Sequence, residues 1–542
     1  MSAPSTETDS PWVSVARALV DAGVQRVYGL PGDDMAAVAA LRAAGVFLVV
    51  TSEQRNAVYA AVGDAAVSRR DGGLGVGVVV AGRGPGAAAL VPPLLEIATA
   101  GEPVVLLVGG APEGATARSF QFAPQRALFE PLAKAFHRLA PGDDAAQQTL
   151  RAFEEANRAP AGPVVLEIPE SPVPGLRDAT STAPCRPSHP SLAPPMPDAL
   201  RTARHPVVLV GAGARGHGEA VTALARALHA PLLCTASGRG IVAEDEPLFW
   251  GLSGLYLHPL ARAALAEADL LVVIGSRLEE TAIEHLPSMP VQRLDIDPDE
   301  PGSERIDASV ALAWSREAAG GAASEWSETI ARVRSGLDAW GESLRLGVGP
   351  VRPWSRLGGV VAELAATLPA DVVVCHENGS ADMWSYLFPA FRLPPGAIDI
   401  APSEQTTLGF GTAAASGAAR AGGRAVVAFG GDGAFSMLGH ERASFGPGAP
   451  GVVYVVFDNG GFGWLELQDR AVTGANGDEF TGLSALRPTD ARGRRLVTRS
   501  IRCAEEAGPA LRWALAAAVD GPVVLVVPCT AEEGAPVLSE SW

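Results

Sequence analysis

Val426–Trp464 reads VVAFGGDGAFSMLGHERASFGPGAPGVVYVVFDNGGFGW. Two apolar, β-rich runs, Val426–Phe429 and Val452–Phe457, each end in a polar glycine-rich turn, Gly430-Gly431-Asp432-Gly433 and Asp458-Asn459-Gly460-Gly461. Loops that leave neighbouring strands of a parallel sheet sit side by side, so the Asp432 carboxylate and the Asn459 amide oxygen can converge on one hard cation. The glycines beside them let backbone N–H groups approach a diphosphate, and the segment after Gly433 reads as a helix start, where negative charge is favoured. Asp-Gly and Asn-Gly are also ordinary turn formers, so at this point plain turns and a metal site both stand open.

The rest of the chain repeats this strand-and-turn logic. From Pro11 to Pro172, the runs Val27–Leu30, Phe47–Val50, Val76–Ala81, Val104–Val108 and Val164–Ile168 alternate with helical patterns such as Trp12–Ala22 and Gln54–Arg69. That alternation predicts a doubly wound parallel sheet. Residues 173–197 are broken by proline and read as a linker. A second α/β unit is expected over 198–347, with strands at Leu270–Ile274 and Val291–Ile296. It opens with Gly211-Ala212-Gly213-Ala214-Arg215-Gly216, a G-x-G-x-x-G that suits either a dinucleotide or a tight strand–helix turn. A third unit, over 354–530, carries Val372–Cys375 and Val523–Val527 beside the opening stretch, and resembles the first in layout. Segment Asp478–Arg502, with its run RPTDARGRRLVTRSIR, reads as a loop or a lid.

Composition bounds the function. An apolar content of 47% with 61 Gly and 44 Pro over 542 residues fits an α/β protein of about three domains. The formal charge of −18 speaks against nucleic-acid or anionic-membrane partners. Apolar runs are strand-length, well below the roughly 20 residues of a spanning helix. The five cysteines, Cys185, Cys234, Cys375, Cys503 and Cys529, form no C-x-x-C pair, and the N-terminus has no secretory pattern. A reducing, cytoplasmic setting is expected.

Several motifs together resemble the acetolactate synthase and 2-oxo acid decarboxylase superfamily of thiamine diphosphate enzymes. They are Val27-Tyr28-Gly29-Leu30-Pro31-Gly32, Ser52-Glu53-Gln54-Arg55-Asn56-Ala57, Gly84-Pro85-Gly86, Thr407-Leu408-Gly409-Phe410-Gly411 and the Gly431–Asn459 pair of turns. The resemblance implies three tandem doubly wound domains: pyrimidine-binding, 11–172; central, 198–347; diphosphate- and Mg²⁺-binding, 354–530. It implies that Asp432, Asn459 and the Gly461 carbonyl hold Mg²⁺, and that Pro31, Gly32, Glu53, Leu408, Gly431, Gly433, Ala434 and Phe462 complete the cofactor site. Glu53 follows the strand Phe47–Val50. It would hydrogen-bond the aminopyrimidine, and burial would raise its pKa. Alone it would read as a solvated glutamate at a helix start. Leu408 takes the place of the bulky residue that bends the two cofactor rings together. Ala434 stands where many relatives have serine, which removes one hydroxyl contact to the diphosphate.

On the substrate side, Phe120-Gln121, with Lys134 thirteen positions after the glutamine, resembles a segment bordering the active site, where Gln121 would orient a carbonyl. Arg83 replaces the usual Ser or Thr before Gly-Pro-Gly and would clamp a carboxylate, unless it points outward. His376 or Glu377, at a strand end, would donate a proton. No adjacent His-His pair occurs over Pro112–Gln121, unlike pyruvate-decarboxylase-like relatives. Gly275–Thr281 aligns with a flavin-type segment but has Thr281 for an expected arginine, so flavin or adenine nucleotide in the central domain is left open. The implied function is a carboligase that decarboxylates a 2-oxo acid and transfers the acyl-anion equivalent to a carbonyl acceptor. The alternative is a 2-oxo acid decarboxylase or 2-hydroxyacyl-CoA lyase type of C–C cleavage. A dead nucleotide-binding subunit or a dehydrogenase would leave Glu53, Asp432 and Asn459 unexplained. The family sets the glutamate of one subunit over the diphosphate site of another, so a homodimer or homotetramer is expected.

Overall fold

The computed structural model describes residues 10–30, 35–112, 115, 121–169, 195–295, 304–305, 314–315, 324–437, 444, 448–474, 478–482, 489 and 495–538. The chain contains three six-stranded sheets in which every strand pair is parallel. By contacts it divides into two compact units, one up to residue 194 holding the first sheet, the other from residue 195 holding the second and third.

The first sheet comprises β1 (Arg26–Leu30), β2 (Phe47–Val50), β3 (Gly77–Ala81), β4 (Val104–Gly110), β5 (Ala135–Arg138) and β6 (Val164–Pro169), in the spatial order β2-β1-β3-β4-β6-β5. Its central strands are near-continuous Val and Leu, and Val104–Val108 is fully buried. Strands covered by helices on both faces have that composition. The second sheet comprises β7 (Pro206–Val210), β8 (Leu232–Cys234), β9 (Phe249–Leu252), β10 (Leu270–Ile274), β11 (Val291–Asp295) and β12 (Glu304–Arg305), in the order β12-β11-β10-β7-β8-β9. The third comprises β13 (Val373–His376), β14 (Ile398–Ile400), β15 (Val426–Gly431), β16 (Val453–Asp458), β17 (Val497–Ser500) and β18 (Val523–Pro528), in the order β14-β13-β15-β16-β18-β17.

Numbered from its own first strand, the third sheet repeats the order of the first, the likeness expected from the sequence. In such sheets the strand order reverses at one point, and ligands bind outside the carboxyl ends of the strands there. The reversal falls between β1 and β3 in the first sheet and between β13 and β15 in the third. Inside the third sheet the register pairs Gly431 with Phe457 and Gly430 with Val456, which brings the two glycine-rich turns out at the same edge. Among the described residues no helix is long and apolar enough to cross a membrane.

Candidate functional site

In the third sheet the turns after β15 and β16 meet. The backbone N–H groups of Asp432, Gly433 and Asn459 favour the ionised Asp432 carboxylate, so the turn after β16 acts on the side chain that leaves β15. Burial, then the neighbouring Asp458 charge, push its carboxyl up to about 6. Asn459 Oδ1 accepts the Gly461 N–H at 3.3 Å. Glycine is required around it: a Cβ on Gly463 would fall 2.0 Å from Asn459 Nδ2, and one on Gly461 would fall 2.1 Å from the Phe480 carbonyl oxygen. The Phe462 N–H donates to that same carbonyl at 2.9 Å, and its ring lies against Gly433. Ala434 is buried in the helix Asp432–Met437.

Behind these turns lies a carboxylate that the sequence offered only as a proton donor. Glu377, directly after β13, is fully buried; its Oε2 accepts the Gly409 N–H (3.1 Å) and its Oε1 accepts the Thr412 N–H (2.8 Å) and hydroxyl (2.9 Å). Burial dominates those bonds and pushes the carboxyl up to about 8. Glu377 therefore pins the Thr407–Gly411 turn, with Leu408 half-buried, to the switch point. Gly409, at φ +87°, leaves room for Met437 of the Asp432 helix. A second such carboxylate is Asp382, whose Oδ2 accepts the Gly431 N–H at 3.3 Å and whose carboxyl is raised to about 7, chiefly by burial.

His376 does not reach a substrate. Its ring is fully buried, Nδ1 bonded to Ser385 Oγ (2.7 Å) and Nε2 to Asp399 Oδ1 (2.8 Å), and it packs on Tyr386, Phe391 and Phe429. With both nitrogens engaged in the interior, the expected proton donor is a core residue that orders the turn Asp382–Tyr386, because Ser385 Oγ in turn donates to the Asp382 carbonyl at 2.7 Å. Glu377, its alternative, is likewise enclosed.

In the first sheet the carboxyl ends of β1, β3 and β4 bring another group together. Gln54 Nε2 donates to the Leu30 carbonyl (2.7 Å) and its Oε1 accepts the Leu30 N–H (3.3 Å), tying the glutamate motif to the end of β1 beside Gly86. Gly84, at φ +64°, abuts Gln121: a Cβ there would fall 2.5 Å from the Gln121 carbonyl oxygen. Gln125 bonds the Gly84 N–H (3.1 Å) and the Gly109 carbonyl (3.0 Å), fixing the turn after β3 to β4. Arg83 is half-buried on this edge, with its backbone beside Gly109. Gln121 thus keeps company with Arg83 and the Gly-Pro-Gly turn. Lys134 does not: it precedes β5, so it stands at the opposite edge of this parallel sheet, where it donates to the carbonyls of Arg158 and Pro160. Pro31, Gly32 and Phe120 lie outside the described residues.

Glu53 stands at the N-cap position of the helix Gln54–Arg70 without a capping side-chain bond, 51% exposed and 3.2 Å from Arg55. The expected burial lies across a subunit contact, and in the single chain Glu53 follows an edge strand, β2, and stays half exposed among the described residues. Leu30 and Val50, the last residues of β1 and β2, are also exposed and make this margin apolar.

In the central sheet the G-x-G-x-x-G serves packing. A Cβ on Gly211 would fall 2.3 Å from the Gly275 carbonyl oxygen, and one on Gly213 2.9 Å from Gly275 Cα. The turn after β7 is thus pressed on the turn after β10, with a short 3-10 turn, Ala212–Ala214, in place of an immediate helix. Thr281 spends its hydroxyl on Glu404.

The donor set suits a hard dication: one carboxylate, an amide oxygen and a backbone carbonyl in two touching turns. Among the described residues no three His, Cys, Asp or Glu side chains converge on a metal position. A cation here would take few protein ligands and complete its shell with phosphate oxygens, as Mg²⁺ does. The buried Asp382 Oδ1, which has no hydrogen-bond partner among the described residues, agrees with a site that awaits positive charge.

Three parallel-sheet α/β units, two of them with turns gathered at their switch points, define a cofactor-binding enzyme architecture. Sequence models of the thiamine pyrophosphate enzyme family match in the same order: the N-terminal TPP binding domain over residues 13–131, the central domain over 196–314 and the C-terminal TPP binding domain over 377–527. The chain is 26% identical over 480 residues to a probable acetolactate synthase large subunit of Methanocaldococcus jannaschii, covering 82% of this chain and 79% of that one. It is 29% identical over 487 residues to an acetolactate synthase of Mycobacterium bovis (83% and 76% covered). It is also 29% identical over 448 residues to the acetolactate synthase isozyme 2 large subunit of Escherichia coli (78% and 78%). The chain belongs to the thiamine pyrophosphate-dependent enzymes of the acetolactate synthase superfamily.

Proposed function

We propose that the protein is a thiamine diphosphate-dependent carboligase that decarboxylates a 2-oxo acid and joins the remaining acyl unit to a carbonyl acceptor. What carries this reading is the meeting of the turns of Asp432 and Asn459 at one sheet edge, in a chain whose three units are each matched by a domain of one enzyme family. The relatives above are named acetolactate synthases, which favours joining over the decarboxylase or lyase alternative.

The cofactor, when bound, supplies the carbon nucleophile and the electron sink that decarboxylation needs. In this reading Asp432, Asn459 and the Gly461 carbonyl hold Mg²⁺, with Gly431, Gly433, Ala434 and Phe462 lining the diphosphate end. Leu408 supports the cofactor from the turn that Glu377 pins, and Pro31 and Gly32 border its other end. Glu53 holds the proton at the aminopyrimidine. Gln121 and Arg83, neighbours at the end of β3, orient the donor carbonyl and its carboxylate. His376 is not carried forward as a catalytic group, and no step is assigned to a nucleotide in the central domain. The exposed Glu53 and its apolar margin are covered in this reading by a second copy of the chain, giving a homodimer or a larger homo-oligomer. The protein is placed in the cytoplasm. Sedimentation of the loaded protein is expected to give a dimer or tetramer, and an active monomer contradicts that part.

The test is turnover of a panel of 2-oxo acids, with and without aldehyde or 2-oxo acid acceptors, by full-length protein with thiamine diphosphate and Mg²⁺. Carbon dioxide release with a joined hydroxy-ketone product in the mass spectrum is expected. Release of free aldehyde alone would replace the carboligase with a decarboxylase, and no cofactor-dependent rise in melting temperature would remove the whole reading.

A further inference from the structure

One buried carboxylate beside the paired turns belongs to none of the motifs. Asp382 opens the turn Asp382–Tyr386 and is 1% exposed. One of its oxygens accepts the Gly431 N–H; the other, Oδ1, is buried with no hydrogen-bond partner among the described residues. Burying an anionic oxygen without a donor is costly unless something absent from the bare chain supplies the match. Asp432 makes the position worse, because its negative charge lies close enough to act on Asp382.

The chain nevertheless holds Asp382 in place from several directions. The Met383 N–H donates to the Gly379 carbonyl (2.9 Å), Ser385 Oγ donates to the Asp382 carbonyl (2.7 Å), and the buried His376 is bonded to that hydroxyl. The Ala535 N–H holds the preceding Ser380 carbonyl at 2.7 Å. Gly379 makes room for the carboxylate, since a Cβ there would fall 2.6 Å from Oδ1. Among the described residues no arginine or lysine pairs with it. A cation between or beside two carboxylates held this way would balance the charge that burial disfavours.

We propose that Asp382 is a second carboxylate of the divalent-cation site, facing the cation held by Asp432, Asn459 and the Gly461 carbonyl. It strengthens cation binding by its charge and takes no part in bond making. The inference rests on the cation site of the proposed function and extends it to a residue outside the paired turns. Because the diphosphate is itself anionic, the same charge opposes the cofactor when no metal is present, so Asp382 makes cofactor binding depend more steeply on the metal.

The test follows Mn²⁺ by electron paramagnetic resonance as it titrates the full-length protein, with and without thiamine diphosphate, in wild type, Asp382→Asn and Asp382→Ser. Melting of each protein without metal is measured alongside. With cofactor present, both variants are expected to bind Mn²⁺ at least tenfold more weakly, while their metal-free melting temperatures stay level or rise. Mn²⁺ affinity within twofold of wild type in folded variants overturns the proposal. So does a lower metal-free melting temperature in both variants, which would assign Asp382 to the fold. If wild type takes up no Mn²⁺ even with the cofactor, the proposed cation site itself fails, a result distinct from a difference between wild type and variants.

Discussion

Glu377 is the residue at which burial and function are most directly opposed. Its carboxyl keeps a proton up to about pH 8 in the folded protein against 4.5 as its ordinary value, because desolvation outweighs the bonds from Thr412 and Gly409. Between those values the native state binds more protons than the unfolded chain. The stabilising contribution is therefore complete below about 4.5 and is lost as pH rises through about 8. For one such group the slope approaches about 1.4 kcal/mol per pH unit. Urea unfolding of the cofactor-free protein is expected to show stability falling from pH 5 toward pH 8, and Glu377→Gln to flatten that fall by about one proton's worth; an unchanged slope in the variant counts against the assignment. Glu53 is the opposite case, exposed and idle in the single chain. Glu53→Gln is expected to lower kcat by about 10²–10⁴, the usual contribution of a proton-transfer group, with little change in melting temperature. A loss under threefold would remove it from the chemistry. The turns that carry Asp432 and Asn459 were legible because each is local in sequence. Asp382 was not, and Glu377 read as a proton donor: their contacts are backbone N–H groups at Gly409, Thr412 and Gly431, tens of residues away. His376 misled because a strand end was taken for a surface, when the turn Asp382–Tyr386 folds over it.

Strands and turns divide by the same criterion of burial. The Val-rich runs that became β3, β4, β10, β15 and β16 announced themselves because parallel strands covered on both faces need unbroken apolar sequence. Val497–Ser500 is exposed at every position, an edge strand inside the arginine-rich segment that read as a loop or lid. It had no burial to record in its composition, and Ile398–Ile400 was too short to stand out. The turn after β16 yields a prediction at this level. Gly463 opens the helix Gly463–Thr473, and an added methyl would collide with the Asn459 amide rather than with any strand. Gly463→Ala is expected to turn Asn459 away from the cation position and to weaken Mn²⁺ binding about tenfold or more, while secondary structure by circular dichroism stays the same. Unaltered Mn²⁺ affinity would mean that the Asn459 oxygen is not a ligand.

Within the longer unit, the second and third sheets are fastened by a buried ion pair. Arg239 and Glu244 are hidden, 2.7 Å apart. Arg239 donates to the carbonyls of Ser385 and Phe391 and lies over the Phe391 ring, and Glu244 accepts the Leu393 N–H at 3.0 Å. Removing one member leaves the other charged and unmatched, at a cost of about 3–5 kcal/mol. Arg239→Leu is expected to lower the denaturant midpoint accordingly and to loosen the turn Asp382–Tyr386, seen as faster amide exchange there. Exchange unchanged in that turn would show the pair to be dispensable. None of this was visible in the sequence, where Arg239 and Glu244 sit in an unremarked loop 146–152 residues from the backbone groups they bind. The clasp also bears on how such chains can be recombined. It recognises backbone groups of the later segment, whose positions depend on the path of the chain more than on its side chains. A chimaera joined within residues 173–197 inherits the clasp intact from one parent, whereas one joined between the central and third sheets must rebuild it from two, so viable crossovers between relatives should concentrate in the proline-rich stretch.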